Sequence, residues 1–215
     1  MAASPYVQSR FLVLRLTPCS DSSLVAAGLT PAAGQLHLMA RGARRLGPRQ
    51  FPVLDLFRLV QIRYRDTGRD LLRLSDADLL DDYGALSRSL PAFQTAAWLA
   101  RFALGNVPAG VAHEALFEAL CVGFGRLARL PSAGTAAQVA GAQAVAVGVI
   151  LTYLQEAGWL AEPAPGTPAA EQCGCLLAMA AGGAVPRLQP ANWASLRDWV
   201  LRQARQADCH LPDEP

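Results

Sequence analysis

The sequence predicts an α+β chain, with a small five-stranded β-barrel first and an all-helical domain second, and three observations carry that prediction. Through about residue 75, apolar residues alternate with polar ones in short runs separated by Pro, Gly and Asp turns, the period-two signature of strands. Beyond Tyr83 the apolar residues fall three and four apart, as on the buried stripe of a helix. Charge divides near the same place. Residues 1–75 hold eleven arginines against Asp21, Asp55, Asp66 and Asp70, a net +7, whereas residues 76–215 hold eight arginines against thirteen acids, a net −5. A basic unit built to meet a polyanion, followed by a mildly acidic and apolar one, is the division this implies.

The strands follow in order. In residues 6–16, YVQSRFLVLRL, the pattern puts Leu12, Leu14 and Leu16 on one face and Val13 and Arg15 on the other. Pro18 breaks this strand, and residues 23–30 read as a second that ends at the turn Pro31-Ala32-Ala33-Gly34. Leu36, Leu38 and Ala40 place a third strand with one face inward. Residues 53–65 read as a fourth, with Val60, Ile62 and Tyr64 inward and Gln61, Arg63 and Arg65 outward. After the turn Asp66-Thr67-Gly68, residues 69–75 supply a fifth, with Leu72 and Leu74 inward and Arg73 outward.

Between the third and fourth strands lies the most basic stretch of the chain, QLHLMARGARRLGPRQ at 35–50, with Arg41, Arg44, Arg45 and Arg49. Gly42 and Gly47-Pro48 prevent regular structure there, so the stretch is expected to be a loop whose guanidiniums stay in solvent and suit a chain of phosphates. Five short strands with a basic loop after the third fit a barrel of the oligonucleotide-binding type. Arg41, Arg63, Arg65 and Arg73 would then line one groove beside the loop. Aromatic groups for base stacking are scarce, with Phe51, Phe57 and Tyr64 near the loop and Tyr64 read as core.

Asp76, Asp78, Asp81 and Asp82 read as a solvated linker that opens the helical half, since their spacing fits no cation-binding loop. Helices are expected over 91–104, with Phe93, Ala97, Ala100 and Leu104 as the stripe, and over 111–130, burying Leu116, Leu120, Phe124 and Leu127. Thr135 and Gln138 form a capping box for a third helix that runs to about Ala157, where Gly158 ends it. This Ala- and Gly-rich helix approaches a membrane span in length, yet Gln138, Gln143 and the lack of flanking anchors mark it as the buried centre of the bundle. Residues 163–168 are a Pro-rich loop, and Gln189-Pro190 opens a last helix burying Trp193, Leu196 and Val200.

Catalytic signatures fail in turn, and no enzyme activity or cofactor is expected. Residues 123–128, GFGRLA, match a dinucleotide-binding string but sit in a helical stripe rather than after a strand. The chain has no lysine, which removes a P-loop, and His113-Glu114 lacks the second histidine of a zincin because Phe117 stands there. Cys173, Cys175, Cys209 and His210 are four potential zinc ligands, but one residue between paired cysteines is too few, and a surface loop with free thiols is expected. Five cysteines, an odd number without framework spacing, and an N-terminus without a secretory pattern point to the cytoplasm.

The string ARGARR at 40–45, preceded by PAAGQLHLM, then LLRLSDADLLDDY at 71–83 and a helix ending YLQEAGW at 153–159, resembles the bacterial DNA repair protein RecO family. The resemblance implies an N-terminal oligonucleotide-binding barrel and a helical domain that in many members carries a four-cysteine zinc site. It also implies a recombination mediator that binds single- and double-stranded DNA and anneals complementary strands. With RecR as partner, it would help load RecA onto DNA coated by single-strand-binding protein, in the cytoplasm and at the nucleoid. Two departures stand out. The zinc region near 170–185 keeps only Cys173 and Cys175, so it is read as vestigial with no metal, and residues 136–155 have no arginine to grip the acidic C-terminal tail of single-strand-binding protein. Arg126, Arg129, Arg202 or Arg205 would have to supply that charge. Two other readings of the basic barrel are an RNA-binding protein and a protein-interaction scaffold.

Overall fold

In the computed structural model, which describes residues 6–43, 53–131 and 135–213, alternation closes into a barrel. Strands β1 (Tyr6–Pro18), β2 (Leu24–Thr30), β3 (Gly34–Ala40), β4 (Leu59–Arg65) and β5 (Leu71–Asp81) run in the closed order β1-β2-β3-β5-β4. All pairs are antiparallel except β3 and β5, which meet in parallel because β4 lies between them in the chain. Phe11, Val13, Leu38, Ala40, Val60, Ile62, Tyr64, Leu72 and Leu74 fill the interior.

Three strand expectations are corrected. On β1 the interior residues are Phe11 and Val13, not Leu12 and Leu14; a bulge between Val13 and Arg15 then shifts the phase so that Leu16 packs inward. Leu12 and Leu14 are buried as well, which is why alternation misreads the facing. Strand β4 starts at Leu59 rather than 53, because Phe57 takes a left-handed φ of 63° and residues 57 and 58 bond across to Val13. Strand β5 runs on to Asp81, so Asp76, Asp78 and Asp81 are strand residues and not a linker. Two bulges along the β4–β5 pair absorb the extra length, and Ala77 packs against the interior between exposed Asp76 and Asp78.

The chain divides into two compact units: Met1–Tyr83 with Val107–Glu114, and Gly84–Asn106 with Ala115–Pro215. The segment 107–114 belongs to the barrel unit through its hydrogen bonds to the β2–β3 turn, where Gly110 N donates to Ala33 O (2.9 Å) and His113 N to Pro31 O (3.2 Å). A side chain at Gly34, whose φ is +60°, would collide with the Pro108 and Val111 carbonyls of this segment. Those bonds occupy residues that periodicity assigns to a helix, so that helix starts later than expected.

The helical unit holds a short 3₁₀ turn at Gly84–Arg88 and helices α1 (Leu90–Asn106), α2 (Glu114–Ala128), α3 (Ala136–Glu156), α4 (Pro168–Ala180) and α5 (Pro190–Gln206). The expected α2 stripe of Leu116, Leu120, Phe124 and Leu127 is fully buried. On α1 Ala100 is buried as expected, but the rest of the stripe is rotated to Ala92, Ala96, Leu99 and Ala103, leaving Phe93 exposed. The aromatic cluster sets this rotation: Trp98 stacks on Phe102 at 5.6 Å, and Phe102 meets Tyr153 edge-on at 5.4 Å. Helix α3 packs against α1, α4 and α5 and is buried on all sides from Ala144 to Leu154, so an apolar run long enough to cross a membrane is turned inward. Its small residues allow close approach, since a Cβ at Gly148 would stand 3.1 Å from Met179 and 3.2 Å from Ala180 on α4.

Half of the expected capping box forms at α3. Thr135 accepts from Gln138 N, but the Gln138 side chain donates to Ser89 Oγ (2.6 Å) instead of reaching back. Helix α4 corrects the expectation of a loop around the cysteines: Thr167 caps it, accepting from Ala170 N, and Pro168 takes its first turn.

Candidate nucleic-acid interface

The sequence places Arg63, Arg65 and Arg73 on outward positions, and the strand register decides which of them meet. Residues directly opposite on paired strands share a face with side chains about 5 Å apart. Arg65 on β4 stands opposite Tyr6 on β1 and opposite Arg73 on β5, and Arg73 in turn pairs with Met39 on β3. One row thus crosses four strands as Met39, Arg73, Arg65 and Tyr6. The next row is Gln8, Arg63 and Asp76, and the one after it is Arg10, Gln61 and Asp78. Positive charge therefore concentrates in the first row and gives way to acid along β5.

Arg65 and Arg73 are both exposed, and neither has a carboxylate within ion-pair distance among the described residues. Like charges directly opposite each other on a sheet repel, and an anion bridging them would remove that cost. Arg63 differs, lying 3.8 Å from the Asp76 carboxylate. Arg41 is exposed and follows β3 two residues beyond Met39, at the start of a turn in which Gly42 adopts φ +75°. Arg44, Arg45 and Arg49, with Phe51, lie outside the described residues.

Of the aromatic groups expected near the loop, Phe57 and Tyr64 are buried and unavailable to a ligand. Burial first, and the Asp66 charge second, push the Tyr64 phenol above its ordinary pKa. Tyr6 is the group that local sequence reading missed. Its ring carries the guanidiniums of Arg65 at 5.0 Å and Arg63 at 5.6 Å, and Arg65 Nη2 donates to its hydroxyl at 3.2 Å. No local signal could find it, because its partners are more than fifty residues away and only the β1–β4 register joins them.

In the helical unit, Cys173 and Cys175 sit two apart on α4, about 200° around the helix, so they point away from each other. Cys209 follows α5, and His210 packs its ring against Gly105 of α1. No group of three or more His, Cys, Asp or Glu residues converges as a metal site among the described residues. These four residues therefore do not fit the zinc site that the family resemblance implies. Arg126, one of the arginines open to an acidic tail, donates to the Gly183 carbonyl.

The closed order β1-β2-β3-β5-β4, with a parallel β3–β5 closure and a basic row across it, defines an oligonucleotide-binding-type barrel. Residues 1–83 match the family model described as "Recombination protein O N terminal". The barrel region of this chain is thus similar to the RecO N-terminal domain. The chain is 37% identical over 132 residues, 59% of its length, to the DNA repair protein RecO of Gloeobacter violaceus, of which the match covers 48%. The chain thus spans about half the length of that curated relative.

Proposed function

We propose that this protein is a non-catalytic mediator of DNA repair and recombination whose barrel binds single- and double-stranded DNA through phosphate contacts. The carrying observation is the pair Arg65 and Arg73, directly opposite, exposed and without an acid partner among the described residues. Arg63 lies one row behind this pair, Arg41 follows the end of β3, and Arg44, Arg45 and Arg49 add charge in the same stretch of sequence. Guanidiniums held on a rigid sheet neutralise phosphates on two strands at once, which lowers their mutual repulsion and lets complementary strands anneal. The RecO domain and the relative's name support a repair role. On this reading RecR is the protein partner, and the DNA-bound mediator assists RecA loading at the nucleoid.

Fluorescence anisotropy of labelled DNA across a salt series tests the reading. Each phosphate-contacting arginine changed to Ala should flatten the slope of log affinity against log salt by about 0.7 on single strands. Arg65→Ala and Arg73→Ala should each do so, and Arg41, Arg44 and Arg45 changed together should remove about three times as much. No binding by wild type at low salt would overturn the proposal. A protein-scaffold reading has its own support in Leu79 and Leu80 on β5, which are 44% and 50% exposed. Wild type that binds no DNA at low salt would favour it.

A further inference from the structure

An exposed tyrosine on a soluble protein is ordinary, but the surroundings of Tyr6 are not. It is 56% exposed, whereas Phe11, Phe57, Tyr64 and Tyr83 of the same unit are buried, so it is the exposed aromatic among the described residues of the barrel. It stands in the row that holds Arg65 and Arg73. Two guanidiniums from β4 lie over its ring, and Arg65 Nη2 also donates to its hydroxyl. Access is open on the other flank. Residues Tyr6–Leu12 of β1 pair with β4, but the pairing with β2 covers only Leu12–Pro18, so among the described residues no strand lies on that side of Tyr6.

We propose that Tyr6 is the base-stacking platform of this interface and sets its preference for single strands over duplex. The inference rests on the phosphate-binding reading of the Arg65–Arg73 row and adds a base contact to it. Cross-strand neighbours are about 5 Å apart, so a base laid on Tyr6 brings its own phosphate within reach of Arg65. The cation contacts hold the ring upright before the ligand arrives, which lessens the ordering that stacking would otherwise require. A duplex keeps its bases stacked on one another and offers Tyr6 nothing, whereas every base of a single strand presents a free π-face.

The test compares oligothymidine with an abasic oligomer of equal length, and both with duplex, on the full chain. Wild type should bind oligothymidine about tenfold more tightly than the abasic strand, the gain typical of one stacked base. Tyr6→Ala should abolish that difference, and Tyr6→Phe should retain it. If wild type binds both single strands equally, or Tyr6→Ala keeps the difference, stacking on Tyr6 is refuted while the phosphate site stands. Should wild type bind neither strand at low salt, the phosphate reading falls and this inference with it. The wild-type comparison needs no variant to fold.

Discussion

Arg63 on β4 stands directly opposite Asp76 on β5, with guanidinium and carboxylate 3.8 Å apart and both side chains about half exposed. An exposed pair of this kind contributes at most about 1 kcal/mol to stability. Its larger consequence is for the interface, where Asp76 competes with any phosphate for Arg63 and marks the border between the basic row and the acidic end of β5.

Asp76→Asn should therefore tighten binding of single-stranded DNA and steepen the salt slope by about 0.7, as Arg63 becomes free to take a phosphate. Thermal stability should barely change. Anisotropy titrations at several salt concentrations measure both, and an unaltered slope would remove Arg63 from the phosphate path.

Gly28 should not tolerate a side chain. It lies on β2 beside Phe11, and a Cβ there would meet the Leu12 carbonyl and approach the end of the Phe11 ring to 2.8 Å. Either the β1–β2 pairing parts or the ring leaves its place inside the barrel. Gly28→Ala should cost stability at the upper end of the overpacking range, about 1–3 kcal/mol, read as a lower denaturant midpoint with an unchanged m-value.

The carboxylate of Glu156, at the end of α3, accepts from Ala115 N and Leu116 N at 2.9 Å each, and so satisfies two orphan donors at the start of α2. Replacing it with Ala should cost about 1 kcal/mol, and Gln should cost less because it keeps one acceptor oxygen. Chemical denaturation of the two variants gives the order; equal stabilities of both with wild type would show that solvent caps α2 as well.

Tyr153 makes stability fall in alkali. Burial foremost, and the Cys209 charge next, raise its phenol above the ordinary value, and its hydroxyl donates to Asn106 O at 3.1 Å. Between the ordinary and the raised pKa the folded protein holds a proton that the unfolded chain has released. Stability is therefore full below the ordinary value and declines as pH rises through that window. Tyr64 acts in the same sense. Tyr153→Phe should flatten the decline seen in denaturation curves taken across the alkaline range, at the cost of the bond to Asn106.

Much of the fold is legible along the chain, because burial on one face leaves its period in the residues. Val60, Ile62, Tyr64, Leu72 and Leu74 alternate and do face the barrel interior, and Leu116, Leu120, Phe124 and Leu127 recur at helical spacing and are buried. Asp76 and Asp78 misled because acids in a row read as linker, although on a strand one face can stay wet indefinitely. Helix α4 was hidden because its apolar stripe is short, and only Leu176, Met179 and Ala180 are buried.

The sequence by itself determined that a basic, alternating half precedes an apolar helical one and that Arg63, Arg65 and Arg73 point outward. Only the tertiary structure decided which of them stand together. A strand's period states which way a residue faces but says nothing of which strand lies beside it. That depends on closure and on bulges, each of which shifts the phase by one residue. Closure joins Tyr6 to Arg65 across 59 positions of chain, leaves Arg65 facing Arg73, and gives Arg63 to Asp76. A row of side chains on a barrel is a property of register, and register is settled by pairing between segments distant in the chain.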